Sequence, residues 1–245
     1  MNRKHNYIRV SVCMPAYNAS QYVGEAIESI LAQNYEPFEL LIADDASTDD
    51  TFKLISRYKR NPKIRIYSNK KNLGPGATRN KLIGLSKGEY ITPCDADDLM
   101  LPGNLKRLSR FLDVHKNIGM IYGDVLVLEV NKSGALISAP GILGREPDQA
   151  WDLLDNVINH PGCMIRKSLI LKIGGYDETV YSVDDWSLWL KLNEITKFKY
   201  LKGETYYLWR RNPKSITKTD SRRHSDVLKI VSEAIERRYG IHWRP

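Results

Sequence analysis

Apolar runs in the first half of the chain stop, one after another, at polar or acidic side chains. Ile8 to Met14 is rich in β-forming residues and halts at Pro15-Ala16-Tyr17-Asn18. Phe38-Glu39-Leu40-Leu41-Ile42-Ala43 halts at Asp44-Asp45, and Tyr90-Ile91-Thr92-Pro93-Cys94 halts at Asp95-Ala96-Asp97-Asp98. Ile64-Arg65-Ile66-Tyr67 is a further strand pattern. Helical patterns separate these runs: Val23, Ile27, Ile30 and Leu31 share one face, and Leu54, Ile55 and Tyr58 share another. Strand signals alternating with helical ones predict βαβ units, an α/β fold and a mostly parallel central sheet flanked by helices. Ligands of such sheets bind outside the carboxyl ends of the strands, where the polar residues recur.

The turn chemistry supplies finer expectations. Ser20 is a candidate N-cap for the first helix, and Ser47-Thr48-Asp49-Asp50 resembles a capping box with Asp in place of Glu. Asn72-Leu73-Gly74-Pro75-Gly76 predicts a turn into a helix over about Ala77 to Ser86, stopped by Gly88. Pro102 suits the first residue of another helix, with Asp98 as a nearby cap. The second half is less regular. Met120 to Val130 alternates apolar and polar residues, and Asn131-Lys132-Ser133-Gly134 reads as a hairpin turn. Leu153, Leu154 and Val157 suggest a helix, Gly162 to Ile165 a short strand, and Leu169 to Ile173 a helix closed by Gly174-Gly175. Trp186 to Leu192 predicts a helix preceded by Asp184-Asp185, and Tyr206 to Trp209 a late strand. From about Ser221 a terminal helix carries Val227, Ile230, Val231 and Ile235 on one face.

The three carboxylates of Asp95-Ala96-Asp97-Asp98 are the sharpest chemical signal. Clustered carboxylates raise one another's pKa, and a divalent cation removes that cost. Oxygen-only ligands suit Mg²⁺ or Mn²⁺, often shared with substrate phosphates. An Asp-rich turn or helix cap has the same sequence, so the motif alone leaves both readings open. Cys13, Cys94 and Cys163 are scattered, odd in number and without a C-x-x-C pair. They disfavour a disulfide framework or zinc cluster and predict a reducing, cytoplasmic setting. No apolar run approaches the ~20 residues of a membrane span.

The net charge of +8 is unevenly placed. From Lys202 to Pro245 there are 11 basic and 5 acidic residues, so 11 − 5 = +6 of the excess lies there. Either a solvated helical face or attraction to an anionic partner, phosphate or lipid headgroup, accounts for it. No nucleic-acid motif accompanies the charge, so nucleic acid is not an expected partner.

Taken in order, the segments Val10 to Asn18, Asp44 to Asp49, Asn72-Leu73-Gly74 with Ala77 to Asn80, Asp95 to Asp98, Gly174 to Glu178, Asp184 to Leu190 and Trp209 to Ser215 make a family pattern. Over roughly Val10 to Thr217 the chain resembles the GT-A-fold, family 2 inverting glycosyltransferases. The resemblance implies a GT-A, Rossmann-like fold with a smaller acceptor-side subregion. Residues 1–217 would form the catalytic domain, about 1–100 the nucleotide-sugar half and about 101–217 the acceptor half. Residues 218–245 would be a basic helical extension.

The implied reaction is metal-dependent, inverting transfer of a sugar, hexosyl or N-acetylhexosaminyl, from a nucleotide diphosphate sugar to a hydroxyl. UDP-sugars are the favoured donors. The acceptor would be a glycan or lipid-linked glycan in cell-surface polysaccharide synthesis. Pro15, Ala16, Tyr17, Asn18, Asp45, Gly74, Arg79, Asp95 and Ala96 would bind the nucleotide, with Tyr17 against the base and Asp45 accepting from a base N–H. Asp97, with Asp95, would hold Mn²⁺ or Mg²⁺. Asp185 would be the general base, and Asp184, Trp186 and His160 would face the acceptor. Arg210, Arg211 and Ser215 would close over the diphosphate, and Asn212 stands where many relatives carry a metal-contacting His. Peripheral contact with an anionic inner membrane face would bring the enzyme to a lipid-linked acceptor, and homo-oligomerisation stays open.

Other classes fit less of the chain. A phosphotransferase using Asp95 as nucleophile leaves Pro15 to Asn18 and Asp184-Asp185 unexplained. A dinucleotide-binding oxidoreductase lacks the third glycine in Gly74-Pro75-Gly76-Ala77-Thr78-Arg79. A catalytically silent sugar-nucleotide-binding or scaffold protein would keep the donor site but has no use for Asp185.

Overall fold

The apolar runs become strands with a common polarity. In a computed structural model of the chain, residues 7–131, 136–143, 158–211 and 215–242 are described. The first half contains β1 (Val10–Ala16), α1 (Val23–Leu31), β2 (Phe38–Asp44), α2 (Thr51–Ser56), β3 (Ile64–Ser68), α3 (Pro75–Leu85) and β4 (Tyr90–Pro93). These strands pair in the order β3-β2-β1-β4, all parallel, with Val10 opposite both Phe38 and Tyr90. The carboxyl ends of β1, β2 and β4 therefore meet at one edge of the sheet. Alternation along β1 feeds both faces. Val10, Val12 and Met14 pack with Val23, Ala26, Ile27 and Ile30 of α1. Cys13 points the other way, into a cluster with Leu41, Leu82 and Trp189. Every residue of β2 is buried, as befits a strand covered on both faces, and the buried Glu39 is paired by Ser11 and Arg65.

The second half adds β5 (Leu99–Met100), α4 (Asn104–Val114), β6 (Ile118–Val130), β7 (Leu136–Leu143), β8 (Met164–Arg166), α5 (Lys167–Lys172), α6 (Asp184–Leu192), β9 (Lys197–Arg211), α7 (Ile216–Thr219) and α8 (Arg223–Tyr239). The sheet continues β4-β8-β6-β9-β5, with β7 beside β6. Here it is mixed: β8 runs antiparallel to β4 and β6, and β5 antiparallel to β9, whereas β6 and β9 are parallel. The parallel sheet expected from the sequence thus describes the first half, and the second half is mixed.

Several local expectations change. The first helix begins at Val23 rather than beside Ser20, whose backbone N–H instead donates to Asp49 Oδ2. Asp49 Oδ1 also accepts from the N–H of Thr51, so one carboxylate serves the start of α2 and the β1 loop together, and no capping box forms. The helix after Pro102 starts at Asn104, preceded by the left-handed Gly103. Asp184 and Asp185 lie inside α6, in its first turn, rather than before it. The predicted turn residues 132–134 and the helix around Leu153, Leu154 and Val157 lie outside the described residues.

Residues Ile230 and Ala234 of α8 are buried in the core cluster that contains Trp189. Part of the basic excess is neutralised within the molecule. Arg237 and Arg238 pair with Glu194, Arg222 with Asp220, Arg211 with Glu129, and Arg210 with Glu25. No helix among the described residues is long and apolar enough to cross a membrane.

Candidate active site

A cleft of about 720 Å³ opens at the shared carboxyl edge of β1, β2 and β4. Pro15, Ala16, Tyr17, Asn18 and Asp45 line it, as do Arg79, Asp95, Ala96, Asp97, Asp184, Asp185, His160 and Ser215. Most of the residues singled out in the sequence therefore converge on one cavity. Gly74, Trp186, Arg210 and Arg211 do not line it.

One end is built by loops tied to each other. Tyr17 is 45% exposed at the tip of β1. Asn18 has φ +48° and bridges two loops: its N–H donates to Ser47 Oγ at 3.0 Å, and its Oδ1 accepts from the Thr48 N–H at 2.8 Å. Asn18 thus ties the two loops together. The buried Asp45 carboxylate holds the loop after β3. Oδ1 accepts from the Leu73 N–H (2.9 Å) and Asn69 Nδ2 (2.8 Å), and Oδ2 from the Gly74 N–H (2.9 Å). A carboxylate has about four acceptor sites, so one remains for a ligand.

Gly74 supports this end from behind. Its φ of +88° with ψ 165° is a glycine conformation, and an added Cβ would lie 3.0 Å from the Tyr181 ring. Gly74→Ala should lower stability by about 1–3 kcal/mol, read as the urea midpoint, because strain and crowding act together. An unchanged midpoint would show that the loop can relax.

Arg79 joins the two acidic groups. It is buried on α3, with Nη2 2.7 Å from Asp95 Oδ1 and Nη1 2.5 Å from Asp184 Oδ2. Arg79, expected among the nucleotide-binding residues, lines the cleft while its guanidinium forks between the Asp95 and Asp184 carboxylates. The two respond differently. Asp95 is held below the usual carboxylate range: burial opposes this, and the Arg79 charge outweighs it. Asp184 is pushed up because its deeper burial outweighs the same guanidinium.

Asp185 faces the cleft one residue further on. Burial first, and the Asp184 charge second, push its carboxyl up to about 7. Its Oδ1 accepts from the Trp186 N–H at 2.7 Å, which fixes the side chain at the helix start. Trp186, expected on the acceptor side, packs into the core cluster with Leu188 and Trp189 and does not line the cleft. His160 is buried against Trp189 and bonds the Tyr176 hydroxyl at 2.9 Å. Desolvation pushes it down to about 3, so it stays neutral and borders the cleft as a fixed wall.

The D-x-D-D segment divides its labour. Asp95 and Asp97 line the cleft. Asp98 is buried, 1% exposed, and neither faces the cleft nor caps α4. Its Oδ1 accepts from the Arg210 N–H at 2.8 Å, pinning β9 to the motif. Arg210 is committed elsewhere too: Nη1 donates to the Asp97 carbonyl at 3.2 Å, Nη2 pairs with Glu25, and the guanidinium lies 5.0 Å from the Tyr22 ring centroid. Arg211 pairs with Glu129 at 3.3 Å. Among the expected diphosphate-loop residues, Ser215 lines the cleft, and Asn212 lies outside the described residues.

Tyr22, Tyr181 and Ser182 also line the cleft and carried no signal in the sequence, and Trp209 lines it although the sequence assigned it no role. Tyr181 sits in an irregular loop where no periodicity assigns a side chain a direction. Trp209 falls within a strand whose exposed face was not legible.

A parallel βαβ half with a cleft at its strand ends, lined by Asp95, Asp97, Asp184 and Asp185, defines an α/β architecture of the kind that takes ligands at the carboxyl edge of its sheet. The profile of the glycosyl transferase family 2 matches residues 11–174, and the chain belongs to that family. It is 29% identical to Bacillus subtilis EpsE over 94% of this chain and 82% of that protein. It is 31% identical to Escherichia coli chondroitin synthase over 93% of this chain but only 33% of that protein. The structure of Staphylococcus aureus TarS with UDP-GlcNAc aligns with TM-score 0.73 at 20% identity, covering 94% of this chain and 67% of that one. The Pyrobaculum calidifontis mannosyltransferase with GDP-Man and Mn²⁺ aligns with TM-score 0.66 at 17% identity, covering 97% and 66%. At these identities the two structures establish the shared fold.

Proposed function

We propose that the protein is an inverting glycosyltransferase that moves a sugar from a nucleotide diphosphate sugar, UDP-linked by preference, to a hydroxyl of a glycan or lipid-linked glycan. One observation carries the reading: a single cleft holds an aromatic tip at Tyr17, paired carboxylates at Asp95 and Asp97, and a separate carboxylate at Asp185 poised near neutrality. UDP-GlcNAc in TarS and the activity named for chondroitin synthase support a sugar-nucleotide donor and a polysaccharide product.

Inversion is a single displacement, so one group must take the acceptor proton as the opposite bond breaks. Asp185 is suited to it. A base with pKa near the working pH is substantially ionised yet still basic enough to accept a proton. Asp184, locked to Arg79, leaves Asp185 as the carboxylate available for that proton. Tyr17 offers area for a base, and the remaining acceptor site on Asp45 suits a base N–H.

Asp95 and Asp97 fit a hard divalent cation, since they supply oxygen only. Among the described residues no cluster of three His, Cys, Asp or Glu is assembled to enclose a metal. Mg²⁺ and Mn²⁺ keep waters and take donor phosphates alongside one or two carboxylates, so Asp95 and Asp97 would hold either ion together with the donor. Bound there, the cation would neutralise charge developing on the leaving diphosphate.

A thermal-shift panel tests the donor assignment. A ligand at 100 times its Kd adds about 2.7 kcal/mol to stability, a shift of several degrees in a chain of this length. UDP-sugars with Mn²⁺ should raise the melting temperature, and EDTA should diminish the rise. A panel in which no nucleotide sugar moves the transition would remove the reading.

A further inference from the structure

Tyr181 precedes α6 in the loop after α5 and reaches the cleft beside Asp45 and Asn72. Its ring rests on the loop that Asp45 organises, since a Cβ on Gly74 would lie only 3.0 Å from Tyr181 Cε2. Its hydroxyl also lies within the electrostatic reach of Asp45 and Tyr17. Tyr181 therefore belongs to the same end of the cleft as the exposed Tyr17 ring.

The C-terminal segment holds that ring from outside. The Arg222 guanidinium lies 4.5 Å from the Tyr181 ring centroid. The buried Asp226 accepts the Tyr181 N–H through Oδ2 at 3.1 Å, and Arg223 Nη1 donates to the Ser182 carbonyl at 3.0 Å. Three residues at the start of α8 and its approach thus grip two consecutive residues of the cleft wall. A cation–π contact and a backbone hydrogen bond fix the ring's position, so less ordering remains when a flat ligand binds against it.

We propose that Tyr181, held by Arg222 and Asp226, is a second aromatic wall for the donor's nucleobase. This makes the start of α8 a determinant of donor affinity as well as part of the basic C-terminal stretch. The inference rests on the nucleotide-sugar reading above and adds a residue and an element to it. Uracil and other bases have polarisable faces, so the contact contributes affinity, while Asp45 discriminates by hydrogen bonding.

Calorimetry of UDP with Mn²⁺ on the full chain tests it. Tyr181→Ala should weaken UDP roughly five- to tenfold, while Tyr181→Phe, which keeps the ring, should stay within about twofold of wild type. Arg222→Ala removes the outer support from an exposed site and should fall between the two. Wild-type affinity in Tyr181→Ala, or equal losses in the Ala and Phe variants, would overturn the wall. A wild-type protein that binds neither UDP nor a UDP-sugar would overturn the donor reading itself, which is a different result.

Discussion

Asp185→Asn should reduce turnover by about 10²–10⁴-fold, the usual contribution of a positioned general base, with donor affinity nearly unchanged. Asn keeps the side chain's shape and can still accept the Trp186 N–H that anchors Asp185 Oδ1 at 2.7 Å. It cannot take a proton. The variant should also be more stable at neutral pH, and the sign follows from linkage. Burial and the Asp184 charge raise the folded carboxyl to about 7 from an ordinary value of 3.8. Between those values the folded state holds more protons than the unfolded one, so this group's contribution to stability falls as pH rises through the window. At neutral pH and above it is a net cost, which a neutral amide avoids.

The same pKa sets the pH profile. With Asp185 as the base, kcat/KM of the wild type should rise with pH and level off above about 7. Asp184→Asn removes the larger of the neighbouring charges that raise it and should move that limb to lower pH. Wild-type turnover in Asp185→Asn would take Asp185 out of the mechanism. Lost turnover with lost stability would recast it as a structural residue.

The first half of the chain was the more legible because its signals are local. An apolar run such as Phe38 to Ala43, followed by Asp44-Asp45, fixes both the strand and the edge at which its polar end appears. Parallel pairing then brings the strand ends together without further information. Pairing partners were not legible. Arg79 reads as a nucleotide-binding cation, and only the fold reveals Asp184 within 2.5 Å of it across 105 residues. Arg210 and Asp98 fail for the same reason: each is defined by the other, 112 residues apart. Trp186 was misplaced by adjacency, since successive residues of a helix point about 100° apart and a neighbour of Asp185 need not share its cleft. Tyr181 depends on contacts with Gly74 and α8 that no local pattern encodes.

Arg79→Ala should destabilise the fold by about 3–5 kcal/mol, the cost of leaving buried charge without its partner. The fork explains why the effect should be large. Asp184 and Arg79 side chains are each only 7% exposed, while Asp95 is 32% exposed. Asp95 can recover water when the guanidinium is gone, but Asp184 cannot. Most of the penalty therefore belongs to the Asp184 arm. Arg79→Ala combined with Asp184→Asn should recover much of the lost stability, because the stranded charge is removed with its partner. Arg79→Lys should fall between, since one ammonium replaces a planar fork that reaches two carboxylates. Turnover should follow a different order. The double variant regains its fold but not its rate, because Asp95 and the start of α6, which carries Asp185, are no longer tied to one rigid group on α3. Urea midpoints and steady-state rates on the same set separate the two roles. A single Arg79→Ala variant within about 1 kcal/mol of wild type would mean that water already screens the pair. A double variant no more stable than the single one would place the energy in the Asp95 arm, and with it the link between α3 and the donor side of the cleft.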